Sequence, residues 1–234
     1  MMTIRRTFSA AALALAVTAV TSGGAALPAQ AAAQNDSESA KQDEAQQAAS
    51  FIRDLGNKAI EQLSDESISY EKRVQRFQQL VKDGFAMDAI SRFVLGRYTR
   101  IASEAEKAAF KDVFLKVIAQ RFLPLFEGYS PDDFIVEEAE ADDRSSALFL
   151  VDSRVWVPNS DGMIKTGWRV RKKNNEMEIV DVLAEGVSMA ITLRSEYNSL
   201  IQRNGGQVSA LIAQLREKAE KGAFKSKSMK DAVQ

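Results

Sequence analysis

The chain has no cysteine and no histidine, and these two absences remove much of the usual catalytic chemistry. Without thiols there is no disulfide framework, no thiolate nucleophile and no cysteine to carry a lipid anchor. Without imidazole, Ser-His and Cys-His pairs and histidine-based metal sites are excluded, leaving carboxylates, lysine and tyrosine as acid–base groups. Proline is scarce, at 4 in 234 residues, so little interrupts long helices. An excess of one charge is also missing. With 31 basic and 32 acidic residues there is no basic surplus to attract nucleic acid.

Long hydrophobic runs are confined to the beginning. Arg5 and Arg6 precede an apolar run from Phe8 to Val20, and Pro28-Ala29-Gln30-Ala31 follows. That order of charged, apolar and small residues predicts a secretory signal peptide over residues 1–31, cut after Ala31 or, in the competing frame, after Ala33. The run is too short to span a bilayer. Loss of Arg5 and Arg6 shifts the net charge from −1 to −3 and leaves an exported protein of about 200 residues, enough for one well-buried domain without covalent staples.

Residues 32–48 are rich in Ala, Gln, Ser, Asp and Glu with no large apolar side chain, and are expected to form a flexible arm or a frayed helix start. A helical stripe then begins at Phe51 and continues through Ile52, Leu55, Ala59, Ile60 and Leu63. A second stripe, Val74, Phe77, Leu80 and Val81, ends near Lys82, with Gly84 expected as a left-handed exit residue. Asp88 is expected to cap a third helix bearing Ile90, Phe93, Val94 and Tyr98. Ser103 and Glu106 have capping-box spacing, ahead of a long stripe of Phe110, Val113, Phe114, Val117, Ile118, Phe122, Leu125 and Phe126 that Pro124 should bend or end.

Beyond Pro131 the period changes from helical to alternating. Strands are predicted at 134–140, 146–157, 164–172 and 177–183, joined by short polar turns, and so forming an antiparallel four-stranded meander. The stretch "EGVSMAITLRSEYNSLIQRNGG" (Glu185 to Gly206) returns to helical spacing and stops at Asn204-Gly205-Gly206. A last helix spans about Val208 to Lys218, and residues 220–234 are expected to be a disordered tail. Helices, then a meander, then helices predict a single α+β domain over 49–219, a curved sheet covered by about six to seven helices.

Among possible sites, the acidic set Asp132, Asp133, Glu137, Glu138, Glu140, Asp142 and Asp143 reads as a solvated strand edge and turn; no loop has calcium-site spacing. Arg97, Arg100 and the strip Arg169, Arg171, Lys172 and Lys173 could meet a lipid phosphate or an acidic partner, or simply be solubilising charge. Trp156 and Trp168 are expected to face each other across a hairpin. An enzyme using Asp181 or Glu185 as base, and a partner-binding protein without cargo, are the competing readings.

"ISRFVLGRYTR" (Ile90 to Arg100), the long helix after it, "VDVLAEGVSMAITLRSEYNSLIQRNGG" (Val180 to Gly206) and "ALIAQLR" (Ala210 to Arg216) resemble the MlaC/toluene-tolerance family of periplasmic phospholipid-binding proteins. The resemblance implies an apolar cavity for the acyl chains of a glycerophospholipid, with no catalytic group, cofactor or metal. It implies a monomeric carrier that exchanges lipid with an MlaA-like outer-membrane lipoprotein complex and with an MCE-domain protein of an inner-membrane ABC transporter. A hopanoid-type cargo is the alternative, since some relatives accompany hopanoid-synthesis genes. Apolar patterning within the matched segments assigns Phe93, Val94, Tyr98, Phe110, Phe114, Val117, Ile118, Phe122, Leu148, Leu150, Trp156, Trp168, Val170, Val187, Met189 and Ile191 to the cavity, with Arg97, Arg100, Arg169 and Arg171 for the head group or a partner.

Overall fold

A computed structural model of the chain describes residues 29–65, 67–126, 129–156 and 162–224. The expected signal peptide lies outside these residues except at its last three positions, as does the tail beyond 224. The chain divides into two units, Met1–Ser37 and Glu38–Gln234. Of the first, only the helical backbone from Ala29 onward is described, and everything below concerns the second.

The first helix, α1 (Ala29–Leu63), starts well before the predicted stripe. The segment expected as a flexible arm is therefore helix, and its Ala45 and Ala48 are buried in a cluster with Ile52 and the sheet residues Phe149, Val151, Val170 and Ile179. The reason is steric. Small side chains, taken from the sequence as an inability to pack, let a helix lie close against a sheet.

Helix α2 (Tyr70–Gly84) is capped by the Ser69 side chain, which accepts from the Lys72 N–H. Gly84 does not leave the helix in a left-handed conformation, contrary to expectation; φ is positive elsewhere. It is small because Leu55 of α1 presses on it: a Cβ there would sit 2.6 Å from Leu55 Cδ2. Helix α3 (Met87–Leu95) lacks a side-chain cap, and Asp88, expected to supply one, instead accepts from Lys111 at 2.8 Å. That ammonium holds the Asp88 carboxyl below the usual range. A 3-10 turn, Gly96–Arg100, follows.

Helix α4 (Glu104–Phe122) has the full capping box: Ser103 Oγ accepts from the Glu106 N–H and Glu106 accepts from the Ser103 N–H. It gives way to a 3-10 turn, Leu123–Phe126, that contains Pro124. Helices α5 (Met189–Arg203) and α6 (Val208–Glu220) complete the helical layer. At the end of α5, Gly206 at φ 82° donates its N–H to the Ile201 carbonyl at 2.9 Å. Phe224, within the expected tail, is buried and lies under the Arg121 guanidinium at 5.6 Å; its single large apolar side chain was enough to dock it.

The sheet is antiparallel with strands in chain order: β1 (Phe134–Ala141), β2 (Leu148–Trp156), β3 (Met163–Lys173), β4 (Glu176–Ala184) and a two-residue β5 (Val187–Ser188) beyond the predicted meander. Bulges fall between Val136 and Ala139 and between Arg169 and Val170, and bulges bend and twist the strands that carry them. On β2, Phe149, Val151, Ser153 and Val155 are buried while Leu148, Leu150 and Trp156 alternate with them on the other face. Trp168 stands opposite Val151, and Trp156 opposite Met163. The two tryptophans are therefore on opposite faces and do not meet across the hairpin.

Candidate apolar-ligand cavity

Three apolar clusters lie among the described residues: one within the helical layer, one where α1 crosses the sheet, and a small one around Leu125 and Val155. Between them lies a cavity of about 230 Å³. Helix α1 contributes Ile52, Leu55, Ala59, Ile60 and Leu63 of the predicted stripe, together with Gly56 but without Phe51, and α2 contributes Phe77, Leu80 and Val81. Met87 and Ile90 come from α3, Phe114, Ile118 and Phe122 from α4, and Met189, Ala190 and Leu193 from α5. The sheet supplies Phe134, Val155, Trp168, Val180, Val182 and Ala184. Leu125, Phe126 and Tyr129 close the wall at the chain segment linking α4 to β1. Gly56 permits this closure: a Cβ there would be 2.2 Å from the Phe134 ring, which itself meets Trp168 edge-on at 6.2 Å.

Three polar residues line the wall among those described, Tyr129, Thr166 and Asp181. Tyr129 donates its hydroxyl to the Trp156 carbonyl, and burial raises its pKa above the usual range. Asp181 accepts from Arg169 Nη1 at 2.5 Å, from Ser188 Oγ at 2.6 Å and from the Ala190 N–H at 3.0 Å. Every one of these donors belongs to the fold. The carboxylate fixes the first turn of α5, and its negative charge suits a helix N-terminus. Glu185, the other candidate base, accepts from the Lys165 N–H at 2.9 Å in the turn after β4. No group of three or more acidic residues among those described is placed to hold a metal.

Of the residues assigned from sequence, Phe114, Ile118, Phe122, Trp168 and Met189 stand on this wall. The others lie elsewhere, each for a physical reason. Val94, Tyr98, Phe110 and Val117 are filled-in helical core; Phe110 stacks on Phe114 at 5.4 Å and is covered edge-on by Tyr197 at 6.1 Å. Val170 is on the inner side of the sheet but beneath Ala45 and Ala48. Leu148, Leu150 and Trp156 are on the outer side of β2. Phe93, Val187 and Ile191 are exposed, at 42%, 58% and 53%, and Phe93 packs under the Arg194 guanidinium at 4.8 Å.

The arginines divide likewise. Arg169 is buried between Asp142, at 3.0 Å, and Asp181, whereas Arg171 is partly exposed and pairs with Glu178 at 2.6 Å. Asp142, taken from sequence as part of a solvated turn, is buried with Arg169. Arg97 and Arg100 are exposed, Arg97 bonding to the Tyr98 hydroxyl at 2.9 Å.

The walls that sequence patterning left out, on α1, α2 and β4, carried a signal all the same: apolar stripes and alternation. Nothing in those patterns distinguishes a side chain facing space from one facing a neighbour.

Helices laid over one face of an antiparallel sheet, with an apolar space kept open between them, define a domain built to enclose an apolar ligand. The model of the MlaC protein family matches residues 53–217; the chain belongs to that family. Among solved structures it is similar to a phospholipid-binding protein from Ralstonia solanacearum, determined in complex with a phospholipid, with a TM-score of 0.62 and 17% identity over 75% of this chain and 98% of that one. At that identity the likeness concerns the fold. No helix among the described residues is long and apolar enough to cross a membrane.

Proposed function

We propose that the protein is a periplasmic lipid carrier, which holds the acyl chains of a phospholipid in the cavity and moves it between the two membranes. The observation that carries this reading is the wall itself, apolar side chains from five helices and four strands around a space that none of the described side chains fills. A diacyl lipid released into water exposes on the order of 30 methylenes at about 0.8 kcal/mol each, more than about 20 kcal/mol in all. Unaided crossing of an aqueous compartment is negligible against that barrier. A cavity of this kind replaces the bilayer environment without chemistry, which agrees with Asp181 and Glu185 being engaged within the fold and with the absence of histidine and cysteine.

The partners that fit this role are an MlaA-like outer-membrane complex and the MCE-domain protein of an inner-membrane transporter, met by a monomer. Arg97 and Arg100, exposed on the 3-10 turn after α3, are the contacts proposed for an anionic head group or an acidic docking surface. Transfer of a fluorescent phospholipid between donor and acceptor vesicles tests the carrier role: the protein should speed transfer in proportion to its concentration. A rate equal to the protein-free rate would count against it.

A further inference from the structure

Thr166 is the polar group of the cavity wall that the fold leaves unsatisfied. It lies on the inner face of β3, opposite Ser153 and Ala184 in the strand register, and is 2% exposed. The neighbouring polar groups are paired with one another. Ser153 Oγ donates to the Thr166 carbonyl at 3.2 Å and accepts from Trp168 Nε1 at 2.9 Å, while Tyr129 and Asp181 have the partners described above. Thr166 Oγ1 is buried with no hydrogen-bond partner. Buried hydroxyls are ordinarily paired, so an exception on a cavity wall calls for an explanation. The oxygen is shut within the wall, and rotation about χ1, for which strand residues have more than one favoured position, exchanges it with the methyl group.

We infer that Thr166 is the anchor for an acyl-ester carbonyl of the bound lipid, its hydroxyl turning into the cavity to donate to that oxygen. The inference rests on the carrier reading and narrows its cargo. The rest of the wall demands a ligand that is mostly hydrocarbon, and one neutral donor matches one neutral acceptor. A phosphate or carboxylate does not fit, because none of the described wall residues is cationic. A pure hydrocarbon skeleton would leave the hydroxyl unpaired. Ester-linked lipids are the class that supplies both parts.

The test compares two phosphatidylglycerols with identical chains and head group, one ester-linked and one ether-linked, so that only the carbonyl oxygens differ. Binding is measured for the wild type, Thr166→Val and Thr166→Ser. The wild type should prefer the ester by about tenfold, equivalent to about 1.4 kcal/mol. Thr166→Val should lose the preference, its ester and ether affinities becoming equal, and Thr166→Ser should keep it. Equal binding of both lipids by the wild type, or an undiminished preference in Thr166→Val, overturns the anchor and leaves the carrier reading standing. A wild type that binds neither lipid overturns the carrier reading, and the anchor with it.

Discussion

At the scale of single residues, Arg169 has the most consequential surroundings. A strand arginine followed by Arg171, Lys172 and Lys173 reads from sequence as surface charge, yet its guanidinium is buried between two carboxylates from distant parts of the chain. Removing it would leave Asp181 buried without its cation and Asp142 with Arg144 alone, at 3.8 Å, and breaking a buried pair in this way costs about 3–5 kcal/mol. Arg171 is partly exposed beside Glu178, where a pair contributes about 0–1 kcal/mol. Urea denaturation should therefore show a large loss for Arg169→Met and a small one for Arg171→Met. Similar losses in the two variants would mean that the Arg169 network is not what holds the start of α5. Sequence spacing could not reveal this network, because Asp142 and Arg169 are brought together only by folding the hairpins.

At the scale of elements, local chemistry was largely legible. The Ser103–Glu106 spacing specified the start of α4, and Asn204-Gly205-Gly206 its counterpart at the end of α5. Ser103→Ala should cost about 1 kcal/mol of stability. The Glu106 carboxylate is held below its ordinary range near 4.5, first by the Ser103 backbone N–H and then by the Ser103 side chain. A lowered folded-state pKa stabilises above the unfolded value and is lost as pH falls through the folded value. The stability advantage of the wild type over Glu106→Ala should thus be complete above about pH 4.5 and shrink below it; an advantage unchanged down to pH 2 would exclude the charge as its source. Strand facing was less legible. Both faces of β2 carry apolar residues, Leu148 and Leu150 on one and Phe149, Val151 and Val155 on the other, so alternation alone did not decide which side was inward. A shift of one residue exchanges the two sets.

For the whole molecule, what the sequence could not specify was empty space. Phe110 and Phe114 lie one turn apart on α4, and periodicity treats them alike. Tyr197 stands edge-on to both, at 6.1 and 6.2 Å, yet of the two only Phe114 also lines the cavity. That difference appears only when the layers are assembled. The apolar stripes of α1, α2 and α4 and the inner faces of β2, β3 and β4 each looked like ordinary core, and most of their residues are. The cavity is what remains because α1 lies close on one half of the sheet through Ala45, Ala48 and Ile52 while the other half is left facing the helices across a gap.

In the proposed carrier it is this gap that holds lipid. Native mass spectrometry of the protein purified from the periplasm of a Gram-negative host, followed by organic extraction and lipid analysis, tests it most directly. One stoichiometric ester-linked phospholipid is expected on the folded protein, released on denaturation. A protein that is reproducibly empty, and stays empty after incubation with phospholipid vesicles, would contradict it.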